Sequence, residues 1–201
     1  MKKLPLYLAT ALLLPMGMLA QSITRSAGET TEQLVNRLMP RGAELAHPVL
    51  ETNTWDSTSK TIIAFYGVNT PKDGYNEYSI TGHLYVPTGA NTYRDISFGP
   101  ILPDGGDPEI ISVFFANSDK DKAKELVVLC QYPQRHYDYS GDFYETYIYD
   151  NPGNGNQLVF FEKLSNQFFG CECGYRDGRA DTSAKYKTAK DIKARLKALG
   201  F

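Results

Sequence analysis

The chain has 201 residues, 42% of them hydrophobic, with 21 basic against 23 acidic side chains and three cysteines. That is enough for one domain with a real core. The slight excess of acid excludes wholesale nucleic-acid binding, which calls for a strongly basic surface.

Lys2 and Lys3 precede a stretch over 4–20 without charge, and Ala20 followed by Gln21 offers a small-residue cleavage point. Pro5 and Pro15 interrupt that stretch, and no second apolar run of about 20 residues follows, the length a membrane-spanning helix needs. Residues 1–20 are therefore read as a cleavable signal peptide. The chain is expected to be exported, periplasmic or secreted, with no stable membrane insertion after cleavage. Loss of Lys2 and Lys3 from 21 basic residues against 23 acidic ones leaves the mature chain at −4. Residues 21–30 are small, polar and aperiodic, so a mobile lead-in is expected before a single domain over 31–201.

Apolar residues at helical spacing over 31–38, with Thr30 or Thr31 as cap and Pro40 and Gly42 as stops, predict a short helix. The period then changes. Residues 61–68 and 78–86 are rich in β-branched and aromatic side chains and predict two strands joined by a turn over 69–74. From 87 to 107 the chain is dense in Pro, Gly, Asn and Asp, which predicts a long loop with at most a short strand at 96–98. Four further strands are predicted at 110–116, 126–132, 143–149 and 158–161. Ser140-Gly141 is a candidate turn, and residues 151–156 are a reversal. Thr188 caps a last amphipathic helix with Asp191 as its acidic third residue and Gly200 beyond its end. The fold class that follows is mainly β within α+β: an antiparallel meander sheet with a short N-terminal helix and a C-terminal amphipathic helix. The lysines crowding the last helix mark its solvated face or, on the sharper reading, a basic interaction surface.

In an oxidising compartment three cysteines leave one thiol unpaired. Bridging Cys171 to Cys173 closes a small, strained ring, so Cys130 with Cys171 or Cys173 is the expected disulfide. A metal site at Cys171-Glu172-Cys173 lacks further clustered ligands.

Asn117, Asp119 and Asp121 alternate along a loop that Glu125 closes. A hard cation such as Ca²⁺ takes six to eight oxygens, and alternate side chains of a tight loop can aim at one point. Against this stand Lys120, Lys122 and Lys124, whose charge weakens cation binding, and the ordinary habit of Asn and Asp of bonding their own backbone. The segment 109–150 resembles a single FG-GAP or VCBS-like unit: Ile111-Ser112-Val113-Phe114-Phe115-Ala116 is the strand in, and Glu125-Leu126-Val127-Val128 the strand out. The resemblance implies a Ca²⁺ loop in a module that binds proteins or sugars. It occurs once, with Lys122 where that family commonly has glycine, and a propeller needs several blades.

Tyr137, Tyr139, Tyr144 and Tyr147 crowd one hairpin. Tyrosine offers apolar area with a polar tip, which suits a binding face; cross-strand packing enriches it as well. Alternation places Phe143, Tyr147 and Tyr149 on one side and Tyr144 and Ile148 on the other. His47, His83 and His136 are scattered, and no nucleophile elbow, zinc helix or phosphate loop is present. The expected function is a non-catalytic exported module for a protein or glycan partner, in the manner of an inhibitor or immunity protein. The alternative is a small exported hydrolase with a distributed site, which would set His136 or His83 in a cleft beside a carboxylate or thiol.

Overall fold

The computed structural model describes residues 22–153 and 155–201. The expected signal peptide lies outside them. The elements in chain order are β1 (Ser22–Thr24), α1 (Thr31–Leu38), β2 (Glu44–Leu45), β3 (Leu50–Thr52), β4 (Thr61–Lys72), β5 (Tyr75–Pro87), β6 (Thr92–Ile101), β7 (Glu109–Ala116), β8 (Glu125–Arg135), β9 (Tyr139–Tyr149), α2 (Glu162–Ser165), β10 (Gly170–Tyr175) and α3 (Ala189–Ala198).

The strands form two antiparallel sheets. The first runs β1-β6-β5-β4-β2, with β3 also paired to β4; the second runs β10-β9-β8-β7. The expected class holds: antiparallel sheets dominate, with a short N-terminal helix and a C-terminal one. The expected meander is β7-β8-β9, and β10 returns to pair with β9.

Alternation along the strands stacks these elements in four layers. Ile63, Phe65, Leu84, Ile96 and Phe98 of the first sheet face Leu126, Val128, Cys130, Tyr132 and Tyr149 of the second. On the far side of the first sheet, Ile62, Ala64, Tyr66 and Tyr85 pack under Leu34 and Val35 of α1. On the far side of the second, Phe114, Val127, Leu129 and Ile148 pack under Phe168 and under Ile192 and Leu196 of α3. Both central strands, β4 and β8, are therefore buried on two faces and read as near-continuous apolar runs.

Several boundaries move. Thr30 caps α1 in a capping box, its hydroxyl accepting from the Gln33 N–H while the Gln33 side chain accepts from the Thr30 N–H. The expected mobile lead-in is corrected in part: Ser22–Thr24 pairs with Thr92, Tyr93 and Arg94 of β6, the Arg25 N–H donates to the Asn91 carbonyl, and Arg37 of α1 donates to the Thr24 carbonyl. The turn between β4 and β5 shrinks to Asp73-Gly74, both at positive φ (48° and 87°), the mirror-image geometry that matches strand twist. The expected loop over 87–107 holds a ten-residue strand, β6. Ser140-Gly141 lies within β9, and the reversal falls at residues 136–138. The strand expected at 158–161 is reduced to one bridge, Phe160 with Tyr149, before α2.

The disulfide expectation is corrected by the register. Cys171 lies opposite Phe143 of β9, which lies opposite Tyr132 of β8, two residues from Cys130. Two strand spacings across and two residues along β8 put Cys130 and Cys171 roughly 12 Å apart, and Cys173, two residues further along, is more distant still; both are beyond the reach of a bridge. Cys130 is a free thiol buried in the inter-sheet core, and Cys171 and Cys173 lie side by side within bonding reach of each other.

Candidate functional site

The loop between β7 and β8 folds through its own carboxylates. Asp119 accepts from the Asp121 N–H at 2.7 Å, and Asp121 accepts from the Ala123 N–H at 2.7 Å, two successive turns of the kind Asp favours. At the base of the loop Glu125 turns inward, fully buried, and accepts from the Ser118 N–H. Its other oxygen, Oε1, and the Ser118 hydroxyl are buried without a partner among the described residues. Burial pushes the Glu125 carboxyl above the usual carboxylate range; the Ser118 N–H opposes this, and the negative charges of Asp119 and Asp121 add to it.

The third member comes from another strand. Leu126 of β8 pairs with Tyr149 of β9, so Asp150, the residue after Tyr149, emerges beside Glu125, the first residue of β8, at the foot of the loop. Oxygens of Asp119, Asp121 and Asp150 lie within 4.8 Å of one another. Asp150 also accepts from the N–H and side-chain amide of Asn151, at 2.7 and 3.0 Å. Three carboxylates so close repel one another. Lys120, Lys122 and Lys124 share the loop, yet no ion pair among the described residues joins them to the group. Such an oxygen set suits a hard divalent cation whose remaining positions are filled by backbone carbonyls and water. Of the four ligands expected from the sequence, Asp119 and Asp121 are brought together, Asn117 is exposed at the loop entrance and Glu125 points into the interior. Asp150 was legible only through the pairing of β8 with β9.

A cleft of about 570 Å³ adjoins this group, lined by Trp55, Asp56, Arg94, Lys122, Asn151 and Pro152. Trp55 links the two sheets here: its indole N–H donates to the Lys124 carbonyl at 2.6 Å, and its ring meets Phe115 edge-on at 5.2 Å. The loop before β4 is thereby fastened to the acidic loop.

The expected tyrosine face is not one surface. Tyr144 is buried on the outer side of the second sheet. Tyr147 points between the sheets, where its hydroxyl meets that of Tyr132 at 2.7 Å and donates to Glu145 at 2.7 Å. Tyr137 and Tyr139 sit at the β8–β9 tip. Tyr137 is 95% exposed. Tyr139 belongs to a column in which His136 stacks on it at 4.3 Å, Tyr175 lies at 5.7 Å and the Arg179 guanidinium covers Tyr175 at 4.4 Å. The alternation of Phe143, Tyr147 and Tyr149 against Tyr144 and Ile148 is as expected; it is this alternation that divides the tyrosines.

His83 is paired through Nδ1 with Asp95 at 2.9 Å, on the α1 side of the first sheet beside Tyr66 and Tyr85. His47 donates from Nδ1 to the Pro48 carbonyl at 2.8 Å. Neither these histidines nor His136 nor Cys130 lines any of the four clefts described in the molecule. No helix among the described residues is long and apolar enough to cross a membrane. Compared with protein-family models, curated proteins and solved structures, the chain matches none.

Proposed function

We propose that the chain is an exported, non-catalytic binding module for a protein or glycan partner, whose acidic end loops hold a weakly bound structural Ca²⁺. The observation that carries the cation is the group of Asp119, Asp121 and Asp150, three carboxylates from two loops that converge with no ion pair to a lysine among the described residues. The partly polar cleft beside it, with the chain's one tryptophan in its wall, supports a binding role. An indole face with amide, carboxylate and guanidinium groups around it has the mixed character of a recognition surface. Within this reading the segment from Glu109 to Asp150 is proposed as a single FG-GAP-like strand-loop-strand.

Ca²⁺ bound only to the folded chain raises its stability. At a hundredfold excess over Kd the gain is about 2.7 kcal/mol, which for a domain of this size raises Tm by about 5–10 °C. The expected result is such a rise with millimolar calcium over chelator for the mature protein, absent in Asp121→Asn and in Asp150→Asn. No rise in the unaltered protein would make the loop an ordinary turn and remove the cation from the reading. The binding role would then rest on the cleft alone.

A further inference from the structure

We infer that the recess between the free edge of β7 and helix α3 docks an acidic, extended polypeptide segment, which adds a strand to the second sheet. The inference deepens the binding reading by naming a partner chemistry, and it does not depend on the cation.

β7 ends its sheet: β8 pairs with it on one side, and no described residue bonds the backbone on the other. Its register with β8 is interrupted at Ile111, between the pairs Ile110–Cys130 and Ser112–Leu129, and is regular from Ser112 to Ala116. Unpaired N–H and C=O groups in such a row are a template for another strand. At the Ala116 end lies a recess of about 400 Å³, with Phe115, Leu196 and Phe201 as apolar floor and Lys124, Lys193 and Lys197 around it. None of these three ammonium groups has a carboxylate partner among the described residues. Lys193 is held over the Phe114 ring at 5.0 Å, a position that fixes the charge beside the strand.

Charge selects the partner. Residues 185–197 carry Lys185, Lys187, Lys190, Lys193, Arg195 and Lys197 against a single acidic residue, Asp191; Lys187 is paired with Glu172 of β10, and the mature chain is acidic as a whole. Lys124 reaches the same recess from the distant β7–β8 loop, so two segments converge on one basic rim. In an added strand, successive side chains point to opposite faces. One row would meet the lysines on the α3 side and the other the ring of Phe115 on the inter-sheet side. A segment alternating carboxylate and apolar residues answers both rows, which a disordered anionic surface does not.

The test is fluorescence anisotropy of a labelled, acetylated peptide alternating glutamate and valine, about eight residues long to match one strand. It is titrated with the mature protein at low salt, in calcium and in chelator. Saturable binding is expected in both, at least about tenfold weaker for the Lys124→Glu/Lys193→Glu/Lys197→Glu variant, whose circular dichroism at the assay temperature should match that of the unaltered chain. Asp121→Asn should bind like the unaltered chain, which separates this site from the cation site. A lysine-valine peptide should not bind, nor should the acidic peptide with proline at alternate positions, which lacks the N–H groups for strand addition. Equal affinity of the charge-reversed variant or of the proline peptide overturns the inference. So does binding to phosphatidylglycerol vesicles without binding to the peptide, which would assign the basic rim to a membrane surface.

Discussion

Phe168→Ala should be among the most damaging single truncations in the molecule, lowering stability by about 3–5 kcal/mol, the range for a buried phenylalanine. Phe168 is fully buried between the outer face of the second sheet and α3, with Tyr186 edge-on at 5.2 Å. It lies on the short connection between α2 and β10, so its ring is the wedge on which the C-terminal helix rests. Only Ile192 and Leu196 of α3 are themselves buried. A ten-residue helix with so narrow a stripe is marginal by itself. Urea unfolding should report the global loss. Limited proteolysis should report cleavage between Thr182 and Ala198 at a denaturant concentration where the rest of the chain resists. If that segment stays as resistant as in the unaltered protein, α3 is held by contacts other than this ring.

Gly82→Ala should cost about 3 kcal/mol through overpacking. Gly82 stands on the inner face of the first sheet, paired with Phe65 on one side and Phe98 on the other. The Phe98 ring lies across it, and a methyl group built at Gly82 would sit 2.1 Å from the ring. That ring cannot simply swing away, because it meets Phe65 edge-on at 5.8 Å and Tyr149 of the opposite sheet at 4.9 Å. The glycine is there for space, its backbone being unexceptional. A Gly82→Ala/Phe98→Leu double variant should therefore recover part of the loss, and a double-mutant cycle from chemical denaturation measures the coupling. Strictly additive effects would mean that the ring relaxes freely and that the glycine is not reserved for it.

These two residues also mark what the sequence could and could not tell. α1 and α3 were legible because their signals are local: Thr30 with Gln33, Thr188 with Asp191, and apolar residues three and four apart. β4, β5, β7, β8 and β9 were legible from runs of β-branched and aromatic residues. β6 was not, because its apolar residues Tyr93, Ile96, Phe98 and Ile101 are spread between Arg94, Asp95, Gly99 and Pro100, and only pairing with β5 makes the stretch extended. The two-sheet stack needed a choice of which face meets which, and periodicity does not make it. The same gap explains the site. Asp119 and Asp121 announced themselves by spacing, whereas Asp150, some thirty residues on, joins them through a strand register. The four tyrosines were close in sequence and alternate in space, so proximity along the chain overstated their unity.

Cys130 is buried with no exposed surface at the centre of the inter-sheet core, and burial drives its thiol well above the ordinary range. The thiolate is the form that attacks an alkylating reagent, so this sulfur reacts only when the sheets part. In a Cys171→Ser/Cys173→Ser background it becomes a clock for that event. Its labelling rate under native conditions should track the opening equilibrium, and should slow with calcium if the end loops fasten the two sheets together.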